Sequence, residues 1–294
     1  MRSSPGSATS SSSNPRRASV DPARVGRDGA LALRFERRGP ATVVSGCRST
    51  LPLQVLAPVA LEDPAAVVSV LNPTGGLVGG DRLLIEVDAR EGAHAVLTTP
   101  SASRVYRTEG EPTVQTVFLR LGPRAIVEWV PDHTIPFAGS AFRQTFDIEL
   151  DDGAALILLD AFAAGRIARD EAWRFKLLES GVSVRDRRGW LLRDRFVLDA
   201  GRAAAGLGLA EGHDYFASLV VVADRGLAAF AAAARPLLAG AEGATGGVGL
   251  LPRRGAVVRC LASSAPALTD LLDALWAVAR RDILGLPALA LRKL

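Results

Sequence analysis

Between Ala30 and about Tyr215, apolar residues recur at every second position and are punctuated by glycine and proline, the pattern of short β-strands joined by turns. Phe142, Phe146, Ile148 and Leu150 alternate with Arg143, Thr145, Asp147 and Glu149, as in a strand with one buried face. Residues 154–159 are apolar without a break and read as a strand covered on both faces. The same reasoning predicts strands at 83–87, 93–98, 114–121, 125–129, 190–198 and 216–222. Towards the C-terminus the period changes. Leu268, Leu271, Leu272, Leu275 and Ala279 fall on one helical face, Ser264 can cap its start and Pro266 suits its first turn. Asp270 and Asp273 lie early in this helix and Arg280 and Arg281 late, which complements the helix dipole. The patterns together predict a mainly β chain, a many-stranded sheet scaffold that is β-helix-like or sandwich-like, with helices at 225–238 and 265–283 near the C-terminus. Residues 30–294 form one domain in this reading, and 1–29, rich in Ser, Pro and Arg, form a disordered tail.

Composition narrows the function classes. With 48% hydrophobic residues among 294, the chain can bury a large core. The formal charge is +4, but residues 1–29 carry five arginines against two aspartates, leaving the body nearly neutral. Such a body argues against a nucleic-acid partner. The most apolar runs are broken by Asp160 and by Asp224 and Arg225, so no membrane span is expected. The start lacks the apolar segment of a secretory signal, which points to the cytoplasm. Cys47 and Cys260 lie far apart and are expected to be buried, inert thiols. Phosphate-loop, dinucleotide-loop and nucleophile-elbow motifs are missing. His94, His133 and His213 have no metal-ligand spacing and read as structural or exposed.

The positive signal is a set of acids with apolar parity. On a strand, Asp194 shares a face with Trp190, Leu192, Phe196 and Leu198, and Asp160 with Leu156, Leu158 and Phe162. Asp81 has the parity of Leu83, Ile85 and Val87, and Glu128 lies between Ile126 and Val130. An isolated ionised carboxylate in a core costs several kcal/mol. Each acid must therefore be hydrogen-bonded, paired with arginine, protonated, or lining a wet cavity or cation site.

Four ordered blocks carry a family resemblance: Asn72-Pro-Thr-Gly-Gly-Leu-Val-Gly-Gly-Asp81, Leu97-Thr-Thr-Pro-Ser-Ala-Ser-Arg-Val-Tyr-Arg107, Glu128-Trp-Val-Pro131, and Gly165-Arg166 with Glu171 beyond. In these the chain resembles the urease accessory protein D family, also called UreH. It departs from the family pattern at Arg104, at Asp132-His133, which replaces a Gln-acid pair, and at Asp170 and Lys176, where glycine is usual. The resemblance implies a non-enzymatic scaffold for nickel insertion. Such a scaffold binds urease accessory protein F, which recruits the GTPase urease accessory protein G, and the complex docks on apo-urease. It also implies an internal water-filled passage for Ni²⁺ in transit, with no tightly bound cofactor. Asp81, Asp160 and Asp194, and more weakly Glu171, would then be transient nickel ligands; Ser103, Arg166 and Glu128 would line or support the passage. Carboxylates and waters hold Ni²⁺ more loosely than thiolate or imidazole cages, as a passage requires. Gly75, Gly76, Gly79 and Gly80 are expected to form turns with positive φ. The competing classes are an all-β metalloenzyme, which would need clustered histidines, and a generic protein-binding module, which needs no acids on its core faces.

Overall fold

A computed structural model describes residues 27–56, 63–199 and 210–291. In chain order the strands are β1 (Asp28–Arg38), β2 (Ala41–Thr50), β3 (Gln54–Val55), β4 (Ala66–Leu71), β5 (Arg82–Ala89) and β6 (His94–Thr98). They continue with β7 (Ser103–Val105), β8 (Thr113–Leu121), β9 (Ile126–Trp129), β10 (Thr134–Pro136), β11 (Ala141–Leu150) and β12 (Ala155–Ala163). After β13 (Leu177–Asp186), β14 (Gly189–Asp199) and β15 (Tyr215–Val222) come helix α1 (Leu227–Gly240), β16 (Ala244–Leu250), β17 (Gly255–Ala262) and helix α2 (Ala265–Ala279). All the predicted strands are present, with ends shifted by a few residues. The first strand starts at Asp28, two residues inside the predicted tail; the rest of that tail lies outside the described residues.

The strands build two sheets, one of seven strands ordered β14-β13-β11-β8-β5-β1-β2 and one of ten ordered β16-β17-β15-β12-β9-β6-β4-β3, with β10 paired to β12 and β7 paired to β10 beside it. From β5 to β13 the chain alternates between them, and neighbours within each sheet are parallel: β5, β8, β11 and β13 on one side, β6, β9 and β12 on the other. That winding is a short solenoid, each coil burying its apolar face on the next. Antiparallel pairs close the ends: β1 with β2, β13 with β14, and β12, β15, β17 and β16 in succession.

The ten-stranded sheet is buried on both faces, which is why residues 154–159 are unbrokenly apolar. One face, with Leu97, Trp129, Leu156 and Leu158, packs against Ile85, Val117, Phe146 and Val182 of the other sheet. These last four are in register on β5, β8, β11 and β13. The opposite face, with Val96, Ile157, Leu219 and Val258, packs under Phe230 of α1 and Leu268, Leu275 and Trp276 of α2. Helix α2 starts as its sequence predicts: Ser264 Oγ accepts from the Ala267 amide and Pro266 sits in the first turn. The outer face of the seven-stranded sheet is solvated and lined by charge ladders such as Arg120 with Glu149 and Arg143 with Glu179.

Two expectations need correction. Cys260 is buried, its thiol pushed up to about 12 by desolvation, but Cys47 is exposed on β2. Trp190 does not share a face with Leu192 and Asp194. A bulge lets Arg185 pair with Trp190 and Val184 with Leu192, so Leu191 turns inward while Trp190 is 50% exposed.

Candidate functional site in the inter-sheet layer

Parallel pairing puts equivalent residues of successive coils side by side, and one such row inside the core is polar. Leu83, Gln115, Gln144 and Ser180 are in register across β5, β8, β11 and β13, directly beside the apolar row of Ile85, Val117, Phe146 and Val182. Gln115 Nε2 donates to Gln144 Oε1 at 2.8 Å, and Gln144 Nε2 donates to Asp160 Oδ1 of the opposing sheet at 2.9 Å. Ser180 Oγ donates to Asp160 Oδ2 at 2.7 Å. Both carboxylate oxygens of this buried acid thus have partners, and both partners are neutral.

Burial pushes the Asp160 carboxyl up to about 6, the Ser180 and Gln144 hydrogen bonds pull it back, and the negative charge of Asp194 adds to the rise. Asp160 also borders two hollows. One, of about 60 Å³, is lined by Ser103, Gln115, Trp129, Asp132, Gln144 and Asp160 among others. The other, of about 440 Å³, is lined by Asp160, Phe162, Phe196, Phe216, Arg259 and Cys260 among others. Asp194 faces into the layer from the edge strand β14 and pairs with Arg259 at 2.5 Å.

The remaining predicted residues fall elsewhere. Asp81 closes the glycine-rich loop: its Oδ2 accepts from the Val78 amide at 2.8 Å, while its buried Oδ1 meets no hydrogen-bond donor among the described residues. Burial raises its pKa, with the Val78 hydrogen bond and Arg27 pulling the other way. Glu171 is held by Arg166, whose Nε donates at 2.8 Å, and by the Ala138 amide at 3.3 Å. The Arg166 hydrogen bond keeps this carboxyl below its usual range. The guanidinium also stacks 4.2 Å above the Phe137 ring. Ser103 lines the smaller hollow and reaches the neighbouring coil through its amide, which donates to His133 O at 2.9 Å.

Glu128 does not line the inter-sheet layer. It points to the helix side, where Oε1 accepts from Arg280 Nη1 and His94 Nε2, each at 2.6 Å, and Oε2 accepts from Trp276 Nε1 at 2.6 Å. Arg280, fully buried, also pairs with Asp63 and donates from Nε to Pro287 O at 2.9 Å. Glu128 is therefore the hub of an ion-pair network that fastens α2 to the sheet, and Arg280 does more than complement a helix dipole.

The glycines divide by cause. Gly75 and Gly80 take φ of +85°, as turns of that kind require. Gly76 and Gly79 do not have positive φ; they are small because a Cβ would lie 2.5 Å from Tyr106 Cε2 and 2.7 Å from Thr108 Cγ2 respectively. Asp170, one of the departures noted from the family resemblance, adopts the glycine-favouring conformation, at φ +54°.

Gln115, Gln144 and Ser180 are the members of the polar cluster around Asp160 that sequence reasoning missed. Their signal was available: Gln144 lies between Phe142 and Phe146 on the apolar parity of its strand, and Ser180 between Leu178 and Val182. Among the described residues no three His, Cys, Asp or Glu are grouped so as to hold a metal ion, so Asp81, Asp160, Asp194 and Glu171 do not form one preformed site. No helix among the described residues is long and apolar enough to cross a membrane.

Comparison with known proteins agrees with the family resemblance of the sequence. The chain is 35% identical over 269 residues to urease accessory protein UreD of Deinococcus radiodurans, covering 91% of this chain and 95% of that protein. It is 33% identical over 267 residues to UreD of Actinomyces naeslundii, covering 90% and 98%, and 35% identical over 272 residues to UreD of Alkalilimnicola ehrlichii, covering 92% of each. The family profile described as UreD urease accessory protein matches residues 27–293, and the chain belongs to that family.

Proposed function

We propose that the protein is a non-catalytic component of nickel insertion into apo-urease, acting in the cytoplasm with accessory protein F and, through F, with the GTPase accessory protein G. Ni²⁺ is cargo in this reading, and it moves along the polar seam between the sheets by way of Asp160. The observation that carries the proposal is the environment of that carboxylate. Among the described residues no cation compensates the Asp160 charge, in contrast to the buried ion pairs of this fold; the carboxylate is held by an amide and a hydroxyl and borders two hollows. Oxygen donors of this kind suit a cation that must also leave. Asp194, with Arg259 beside it, stands at the far end of the same seam. Asp81 and Glu171 lie outside it, so their place as ligands rests on the family pattern alone.

Deleting the gene from a urease-producing host tests the function directly. The deletion strain should contain urease protein at its usual level but with little nickel at limiting metal, and the full chain supplied in trans should restore it. Normally loaded urease in the deletion strain would refute the proposal.

A further inference from the structure

The loop that follows β9 holds a second polar pair, Asp132 and His133. Asp132 Oδ1 accepts from the His133 backbone amide at 2.7 Å and lies 2.9 Å from His133 Nδ1. The Asp132 amide in turn donates to Thr99 Oγ1 at 2.8 Å, which fixes the loop against the neighbouring coil. A carboxylate only accepts, so the ring proton belongs on Nδ1 and Nε2 keeps its lone pair. That Nε2 is buried and meets no hydrogen-bond partner among the described residues. The ring is steadied edge-on by Tyr215, with centroids 6.2 Å apart. An imidazole with one nitrogen oriented by a carboxylate and the other free is the arrangement that metal-binding histidines adopt.

Its position gives that arrangement a use. His133 lines a groove of about 850 Å³ between α2, the end of the ten-stranded sheet and residues 288–291, together with Asp132, Asp273 and Trp276. Asp132 and Pro131 line this groove and also the small hollow that ends at Asp160. Pro131 and Asp132, at the end of β9, therefore separate the groove on the helix side of the sheet from the inter-sheet hollow, and His133 lines the groove. The other two histidines are committed elsewhere, His94 to Glu128 and His213 to the Ala210 carbonyl at 3.1 Å.

We propose that His133 Nε2 is a ligand for a divalent transition-metal ion at the helix-side mouth of the seam, oriented by Asp132. This rests on the passage reading for its purpose, but not for its chemistry. A nitrogen donor selects Ni²⁺, Zn²⁺ or Cu²⁺ over Mg²⁺ and Ca²⁺. One imidazole completed by water and carboxylate oxygen holds such an ion loosely enough to pass it on.

Titration of the purified full chain with Ni²⁺, combined with X-ray absorption of the bound metal, tests this. The wild-type protein should show one imidazole in the nickel shell, and a large excess of Mg²⁺ should not displace the ion. His133→Asn should remove the imidazole signature and weaken Ni²⁺ binding on the order of tenfold or more, and Asp132→Asn should weaken it less. Unchanged affinity and an unchanged imidazole signature in His133→Asn would overturn the proposal. If that variant does not fold, nickel-induced broadening in [15N]histidine-labelled wild type, assigned with His213→Gln, decides: the His133 ring broadens first, or the proposal falls. The two readings fail separately. If His133→Asn binds and delivers nickel like wild type while an Asp160 variant does not, the ligand is wrong and the passage stands. His133-dependent binding alongside normal delivery by the Asp160 variant means the reverse.

Discussion

Glu128 and Asp160 sit on adjacent parallel strands of one sheet, both buried, and differ in almost everything else. On the helix side Glu128 is surrounded by Arg280, His94 and Trp276, with Asp63 completing the network. On the inter-sheet side Asp160 has two neutral donors, a second acid nearby and a hollow on either flank. Apolar parity signals that an acid is buried; under the proposed function, the charge of what faces it separates a fastening from a cation stop. A paired carboxylate is stabilised as an anion, whereas Asp160 is an anion at neutral pH against its surroundings and is eased by an arriving cation.

The largest expected effect breaks the fastening. Glu128→Leu leaves Arg280 buried with one partner fewer and should cost about 3 to 5 kcal/mol in urea unfolding, with Arg280→Met similar. A loss below about 1 kcal/mol would mean that the network does not hold α2 down.

Asp160→Asn should have the opposite sign. With its folded-state pKa raised to about 6 from an ordinary 3.8, Asp160 binds its proton more tightly in the folded than in the unfolded chain. Its contribution to stability is therefore present at acid pH, falls as pH rises from about 4 to 6, and above that leaves a cost of up to about 3 kcal/mol. Asp160→Asn keeps an acceptor for Gln144, removes that cost and should be at least as stable as wild type at pH 7. The difference should vanish below about pH 4, as urea unfolding across pH reads directly. A variant destabilised at pH 7 as strongly as Glu128→Leu would put Asp160 in the structural class.

The smallest effect places Asp194 between the two. Its pair with Arg259 is largely exposed on the arginine side, so Asp194→Asn should change stability by less than about 1 kcal/mol, and less still at high salt. A cost near that of Glu128→Leu would make it a fastening as well.

Much of the scaffold was legible in the sequence because strand period, turn residues and helix caps are local. Parity correctly buried Asp81, Glu128 and Asp160, but it could not say which core each acid would enter, since that depends on the sheet to which its strand belongs. The bulge beside Arg185, which turns Trp190 outward, has no local signature of its own. Parity could mark Gln144 and Ser180 as buried, but that they form one row with Gln115 follows only from the register of three coils. Arg280 read as a helix-end charge because Asp63, 217 residues away, cannot be paired with it from spacing.

The most direct measurement is the nickel content of urease matured with Asp160→Leu in place of the wild-type chain, at limiting nickel and with assembly checked by co-purification of accessory protein F and apo-urease. The account predicts a folded variant that assembles normally and yields urease with nickel and activity reduced on the order of tenfold. Normal nickel loading by the assembled variant, or a variant that unfolds or fails to assemble, would contradict it.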